Sequence, residues 1–162
     1  MKLFAFLFLV LLVASCNNSV QTNNVATDTN KNEPAKEIKP GLSGCYLRVL
    51  KRDTLALSIQ QKGDSVTGKL SFNNYEKDGS TGTVNGSIEN NTLKLLYNFQ
   101  SEGMQSVMEV YFKITDDGLI HGVGDVATKS DTTYYANPGQ LTYPESNRLT
   151  KIDCGKLDSK YK

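Results

Sequence analysis

Four stretches of this chain alternate apolar and polar residues with a period of two, and that pattern constrains the fold more than anything else in it. Leu55, Leu57 and Ile59 alternate with Ala56, Ser58 and Gln60; Val66, Leu70 and Phe72 alternate with Thr67, Lys69 and Ser71. Leu93, Leu95, Tyr97 and Phe99 form a third series, and Met108, Val110, Phe112 and Ile114 a fourth. Successive side chains of a strand point to opposite faces, so this spacing predicts half-buried antiparallel strands. Gly63-Asp64, Asn90-Asn91 and Asp116-Asp117-Gly118 supply turns between them. A long meander must curl or leave bare edges. The expected fold is therefore all-β, an antiparallel up-and-down meander closing into a small barrel of about 8–10 strands. Gly68, Gly82, Gly86, Gly122 and Gly124 fall within the expected strands, where a bend or a close backbone approach is their usual reason.

Composition divides the 162 residues into parts. All 13 Gly lie after residue 40. Residues 17–40 carry six Asn, no aromatic side chain, and only Val20, Val25 and Ile38 as larger apolar residues. A segment so poor in apolar surface does not offset its ordering entropy, and as a coil it spans about 25–30 Å. The expected organisation is a leader at 1–15, a tether at 16–40, a β-barrel domain at 41–155 and a polar tail at 156–162. Lys2 precedes an apolar run from Leu3 to Val13, too short for a membrane-spanning helix of about 20 residues. Loss of residues 1–15 would leave 17 basic and 17 acidic side chains, a balance that gives no electrostatic case for nucleic acid.

Parity sorts the loops. Each hairpin reverses the chain, so alternate connections share an end. With the start of the first strand at the upper end, the turns at 62–64, 90–91 and 116–118 are upper. The connections at 52–53, 74–80, 101–106 and 128–131 are lower, and three of these are expected to be the longer ones. Functional residues concentrate on loops held by a rigid scaffold. Tyr75, Glu76, Lys77, Asp78, Ser101, Glu102, Gly103 and Met104 are therefore the candidate binding residues, beside Lys51, Arg52 and Asp53. In an oxidising compartment Cys45 and Cys154 are expected to form a disulfide. Cys45 precedes the first strand and is upper. A turn at Pro144-Glu145-Ser146-Asn147 would let the chain descend briefly and rise again, bringing Cys154 to the same end. The bridge would then lock the last strand to the first, and the tether would leave from the upper end as well.

Little catalytic chemistry is visible. His121 is the single imidazole; if one strand runs from Leu119 through Asp125, it shares a face with the Asp125 carboxylate. No nucleophile elbow, paired-histidine metal helix, phosphate loop or dinucleotide fingerprint occurs. Glu76 or Asp78 with Glu102 would make a carboxylate pair across neighbouring loops, but with Lys77 between them a screened surface cluster is the simpler reading. No metal and no cofactor is expected, and the domain is expected not to be an enzyme.

Val13-Ala14-Ser15-Cys16 resembles the lipobox of bacterial lipoproteins. The resemblance implies cleavage before Cys16, lipidation of its sulfur, and anchoring by its acyl chains to a cell-envelope membrane. Asn17, Asn18 and Ser19, with no acidic cluster, look like retention in the outer membrane facing the periplasm. Gly44-Cys45-Tyr46 resembles the Gly-x-Trp opening of lipocalin and related calycin barrels, with Tyr in place of Trp. Asn74-Tyr75-Glu76-Lys77-Asp78, Ser101-Glu102-Gly103-Met104 and Cys154 together resemble an uncharacterised group of bacterial lipoproteins. The expected function is that of a lipid-anchored, non-enzymatic binding module acting through the loops at 74–80 and 101–106. Its partner would be an envelope protein or polymer. The alternatives are a periplasmic inhibitor of a lytic enzyme and a carrier of a small apolar ligand.

Overall fold

The computed structural model describes residues 41–76, 78–101 and 103–157. Ten strands form one sheet: β1 (Gly44–Leu50), β2 (Asp53–Lys62), β3 (Ser65–Asn73), β4 (Ser80–Glu89), β5 (Thr92–Ser101), β6 (Met104–Thr115), β7 (Gly118–His121), β8 (Val126–Lys129), β9 (Thr132–Tyr135) and β10 (Arg148–Ile152). Strands β1 to β7 follow each other as antiparallel neighbours, and β10 inserts between β7 and β1. Eight strands thus close into an antiparallel barrel. The hairpin β8–β9 stands outside that ring. It joins β6 through a parallel pairing, Val107 opposite Thr132 and Met108 opposite Thr133, and through the Val107 N–H donating to the Asp131 carbonyl.

The alternating residues of the sequence face the barrel interior. Leu55, Leu57, Ile59, Val66, Leu70, Leu93, Leu95, Tyr97, Val110 and Phe112 make one core with Tyr46, Val84, Leu119 and Leu149, while Phe72, Phe99, Met108 and Ile114 pack against its border. Leu55, Leu57, Leu70, Leu93, Leu95, Val110, Phe112, Leu119 and Leu149 expose no surface, so no water-sized void borders them and the middle of the barrel is filled by its own side chains. Each such burial contributes about 1.5–3 kcal/mol against chain entropy. Gly82 and Gly86 explain how β4 closes on β5. A Cβ at either would collide with a backbone oxygen of β5, that of Asn98 or of Lys94.

The upper end is bound tightly. The turns at 63–64, 90–91 and 116–117 each hold two residues. Cys45 and Cys154 form a disulfide, with Cα atoms 5.2 Å apart, beside the pairing of Cys45 with Ile152. A second apolar cluster lies on the outer face here, where Cys45, Ala56 and Leu157 are buried with Leu47 and Ile152 packed on them. Leu157, which composition groups with the tail, is thus part of the packed domain. Tyr46 donates its hydroxyl hydrogen to the Leu42 carbonyl at 2.8 Å.

Two local expectations are corrected. The strand through Leu119 stops at His121, so Gly122 and Gly124 lie beyond it, and Asp125 is exposed on the segment leading to β8. The pairing of His121 with Asp125 on one strand face does not form. The connection expected at 101–106 is only two residues long, because Ser101 pairs with Met104 across the turn.

Candidate functional site

The lower end holds four of the eight exposed large apolar side chains among the described residues; the others are Leu96 on β5 and Val123, Val126 and Tyr134 at or beside the β8–β9 hairpin. Val49 (62% exposed) and Leu50 (43%) end β1, Tyr75 (42%) lies in the β3–β4 loop, and Met104 (68%) begins β6. Tyr75 is held in place from the β1–β2 turn. Its backbone N–H donates to Asp53 Oδ1 at 2.7 Å, and the Arg52 guanidinium sits 3.2 Å from its ring centre. Lys51 and Glu76 both have a φ of 56° and Gly103 has a φ of 80°, as tight turns require. Glu76 and Asp78 are exposed. Lys77 and Glu102 lie outside the described residues, as does the side chain of Ser101, so the carboxylate cluster across these loops does too. Cys16 and the segments at 1–15 and 16–40 lie outside them as well.

Just inside this rim the barrel wall forks. The upper part of β6 pairs with β7, from Thr115 opposite Gly118 to Phe112 opposite His121; lower down its neighbour on that side is β9. The pairing of β1 with β10 ends at Leu47 opposite Thr150. Arg48, His121 and Asn147 therefore sit at the ends of three ladders. Arg48 shares the inner face of β1 with Tyr46, because side chains alternate. Its Nη1 donates to Asn147 Oδ1 at 2.6 Å, and Asn147 Nδ2 donates to the His121 carbonyl at 3.4 Å. The His121 ring reaches across to aromatic neighbours, with its centre 5.8 Å from that of Phe72 and 5.3 Å from that of Phe112. Phe72 leans on Tyr97, and Phe99 stacks on Tyr97 at 4.6 Å. The Tyr97 hydroxyl donates to Ser80 Oγ at 3.0 Å.

Electrostatics follow from burial. Desolvation and, second, the Arg48 charge push the His121 imidazole down from 6.5 to about 4, so it is neutral at ordinary pH. Burial also lowers Arg48, against which the nearby Asp53 carboxylate favours its charge. Tyr97 is raised by burial, opposed by its hydrogen bond to Ser80. Arg48 Nε and His121 Nε2 are buried with no hydrogen-bond partner among the described residues. Sequence reasoning singled out His121 and missed Arg48. Both faces of β1 are apolar around Arg48, so periodicity gave no sign of which way it points.

A second polar-aromatic cluster lies on the outside of β6. The Tyr135 hydroxyl donates to the Gly122 carbonyl at 2.9 Å, its ring meets that of Tyr111, and Lys94 lies over Tyr111 and 3.6 Å from Glu109. This cluster fastens the β8–β9 hairpin to the barrel. A shallow depression nearby, bordered by Val123, Asp125, Asn137 and Thr142, contains none of the residues singled out by sequence as binding groups.

No protein-family model, curated protein or solved structure matches this chain.

Proposed function

We propose that this chain is a lipid-anchored binding module of the cell envelope, held by Cys16 to the outer membrane and facing the periplasm, which performs no reaction itself. It engages an envelope protein or polymer through the lower end of the barrel, with the loops at 74–80 and 101–106. The finer likeness to bacterial lipoproteins with calycin-like barrels belongs to this reading. One observation carries it: Val49, Leu50, Tyr75 and Met104, on three separate connections, expose apolar surface at one end. Apolar groups gathered on a soluble face mark interaction sites more often than isolated ones do. The filled middle of the barrel supports recognition at this end over carriage of an apolar ligand in the interior.

Two measurements test the reading. Metabolic labelling with an acyl chain is expected to mark the protein and to be lost with Cys16→Ser; persistence of the label would remove the anchor. A photo-crosslinking side chain placed at Met104 is expected to give a discrete adduct in cells, lost when Tyr75→Ser is added. The same probe at Gly63, on the opposite end, is expected to give none. Equal adducts from both ends, or none from Met104, would overturn the assignment of the binding end.

A further inference from the structure

We infer that the forked lower end of the barrel is a binding site for a small organic anion with an apolar body, of the medium-chain carboxylate class, whose head is held by Arg48 beside His121. The polar head of the site faces inward and does not rest on the macromolecular partner proposed for the rim, although Leu50 and Met104 border both.

Buried polar atoms in folded proteins are almost all partnered, and an orphan retains its full desolvation cost. Arg48 Nε and His121 Nε2 are both buried without partners, and they belong to one bonded set, bridged by Asn147. Two orphans in one place indicate a missing acceptor rather than two separate faults. Asn147 Oδ1 is the one hydrogen-bond partner of the Arg48 guanidinium among the described residues.

Arg48 is cationic at any ordinary pH, and among the described residues no carboxylate lies within ion-pair distance of it. Asp53 is close enough to favour its charge, but Asp53 Oδ1 accepts from the Tyr75 N–H. Water would satisfy the Nε–H without compensating the charge, whereas a carboxylate does both, and guanidinium geometry suits its two oxygens. Neutral His121 has a tautomer that offers Nε2–H to the same oxygens.

Inner-face side chains deeper in the barrel are closed to solvent, yet Phe72, Phe99 and Met108 at this end are only partly buried, and Leu50 and Met104 are exposed. An inorganic anion would leave that surface wet. An acid with a hydrocarbon or aryl body would cover it. The charged group that acts on His121 is Arg48 from β1, and Asp53 from β2 acts in turn on Arg48; β3, β6 and the 145–147 turn present Phe72, Phe112 and Asn147. Neutralising Arg48 with a bound anion therefore makes His121 easier to protonate.

The single histidine is its own reporter, since its imidazole resonances are unique in the chain. Titration of the full chain with octanoate is expected to shift them saturably and to raise the imidazole pKa above about 4. Octanol and acetate are expected to bind about tenfold or more weakly than octanoate, and octylamine not to bind, since a charge-assisted bond is absent in the first and last and the apolar body in the second. Arg48→Met is expected to weaken octanoate by about tenfold or more, with Arg48→Lys between it and the parent. No saturable shift would overturn the proposal, leaving water as the missing partner. Octanol matching octanoate would overturn it too, as an apolar cleft blind to charge. The ligand series on the unaltered chain decides the matter even where a variant does not fold.

Discussion

The two ends of the barrel are made from the same strands but use them differently. Two-residue turns occur at both ends, but at the upper end a disulfide ties β1 to the segment after β10, and Leu157 covers the outer face. At the lower end the pairings of β10 with β1 and β7 with β6 have run out, a guanidinium and an imidazole face inward, and apolar side chains face solvent. Constraint is concentrated where the described domain begins and ends, and polar groups without partners among the described residues are tolerated where it is not. Stability margins of folded domains are small, so an end holding orphaned groups depends on stabilisation from elsewhere.

Three experiments sharpen or break that contrast, in falling order of effect. Opening the disulfide, by reduction or by Cys45→Ala with Cys154→Ala, releases a 109-residue separation. The expected loss is about 4–5 kcal/mol, read from the denaturation midpoint, with amide exchange rising first in β1 and β10. A loss spread evenly to the lower turns would contradict the division of labour.

The second concerns His121. Its folded pKa of about 4 lies below the 6.5 of a free imidazole, so as pH falls the unfolded chain takes up the proton first. Stability is full above about pH 6.5 and is lost between that and pH 4. The expected loss from this group is about 2 kcal/mol between pH 7 and pH 5, and His121→Gln is expected to flatten that slope. An unchanged slope in the variant would mean that His121 is not buried as described.

The smallest effect belongs to the rim. Val49→Ser and Met104→Ser are expected to change stability by less than about 0.5 kcal/mol, because both side chains are already in water. A larger loss by thermal or chemical denaturation would show that these residues pack rather than wait for a partner.

How much of this was legible depended on whether one face alone was apolar. The series 55-57-59, 93-95-97-99 and 108-110-112-114 has one apolar face each, and the structure places all of them in the core or packed at its border. Parity of the hairpins placed Cys45 and Cys154 at one end, as found. β1 defeated the same reasoning. Tyr46 lies in the core and Arg48 shares its face by alternation, while Cys45 and Leu47 lie outward with Leu157 and Ile152. With both faces apolar, the direction of Arg48 carries no sequence signature. The strand expected through Asp125 failed for a related reason. Alternation over Leu119 to Val123 says nothing of which neighbour is available, and β9 takes the lower part of β6.

Alternation, turn residues and cysteine parity, all local or countable along the chain, determined an antiparallel barrel closed by a disulfide. Such features act through the two-residue period of the backbone and through chain direction, which need no knowledge of distant contacts. Tertiary structure alone decided that the wall forks at β6, that Arg48 points inward, and that Arg48, Asn147 and His121 meet across β1, the 145–147 turn and β7. Those outcomes depend on where the ladders end, and that is set by competition among strands far apart in sequence for the same hydrogen bonds.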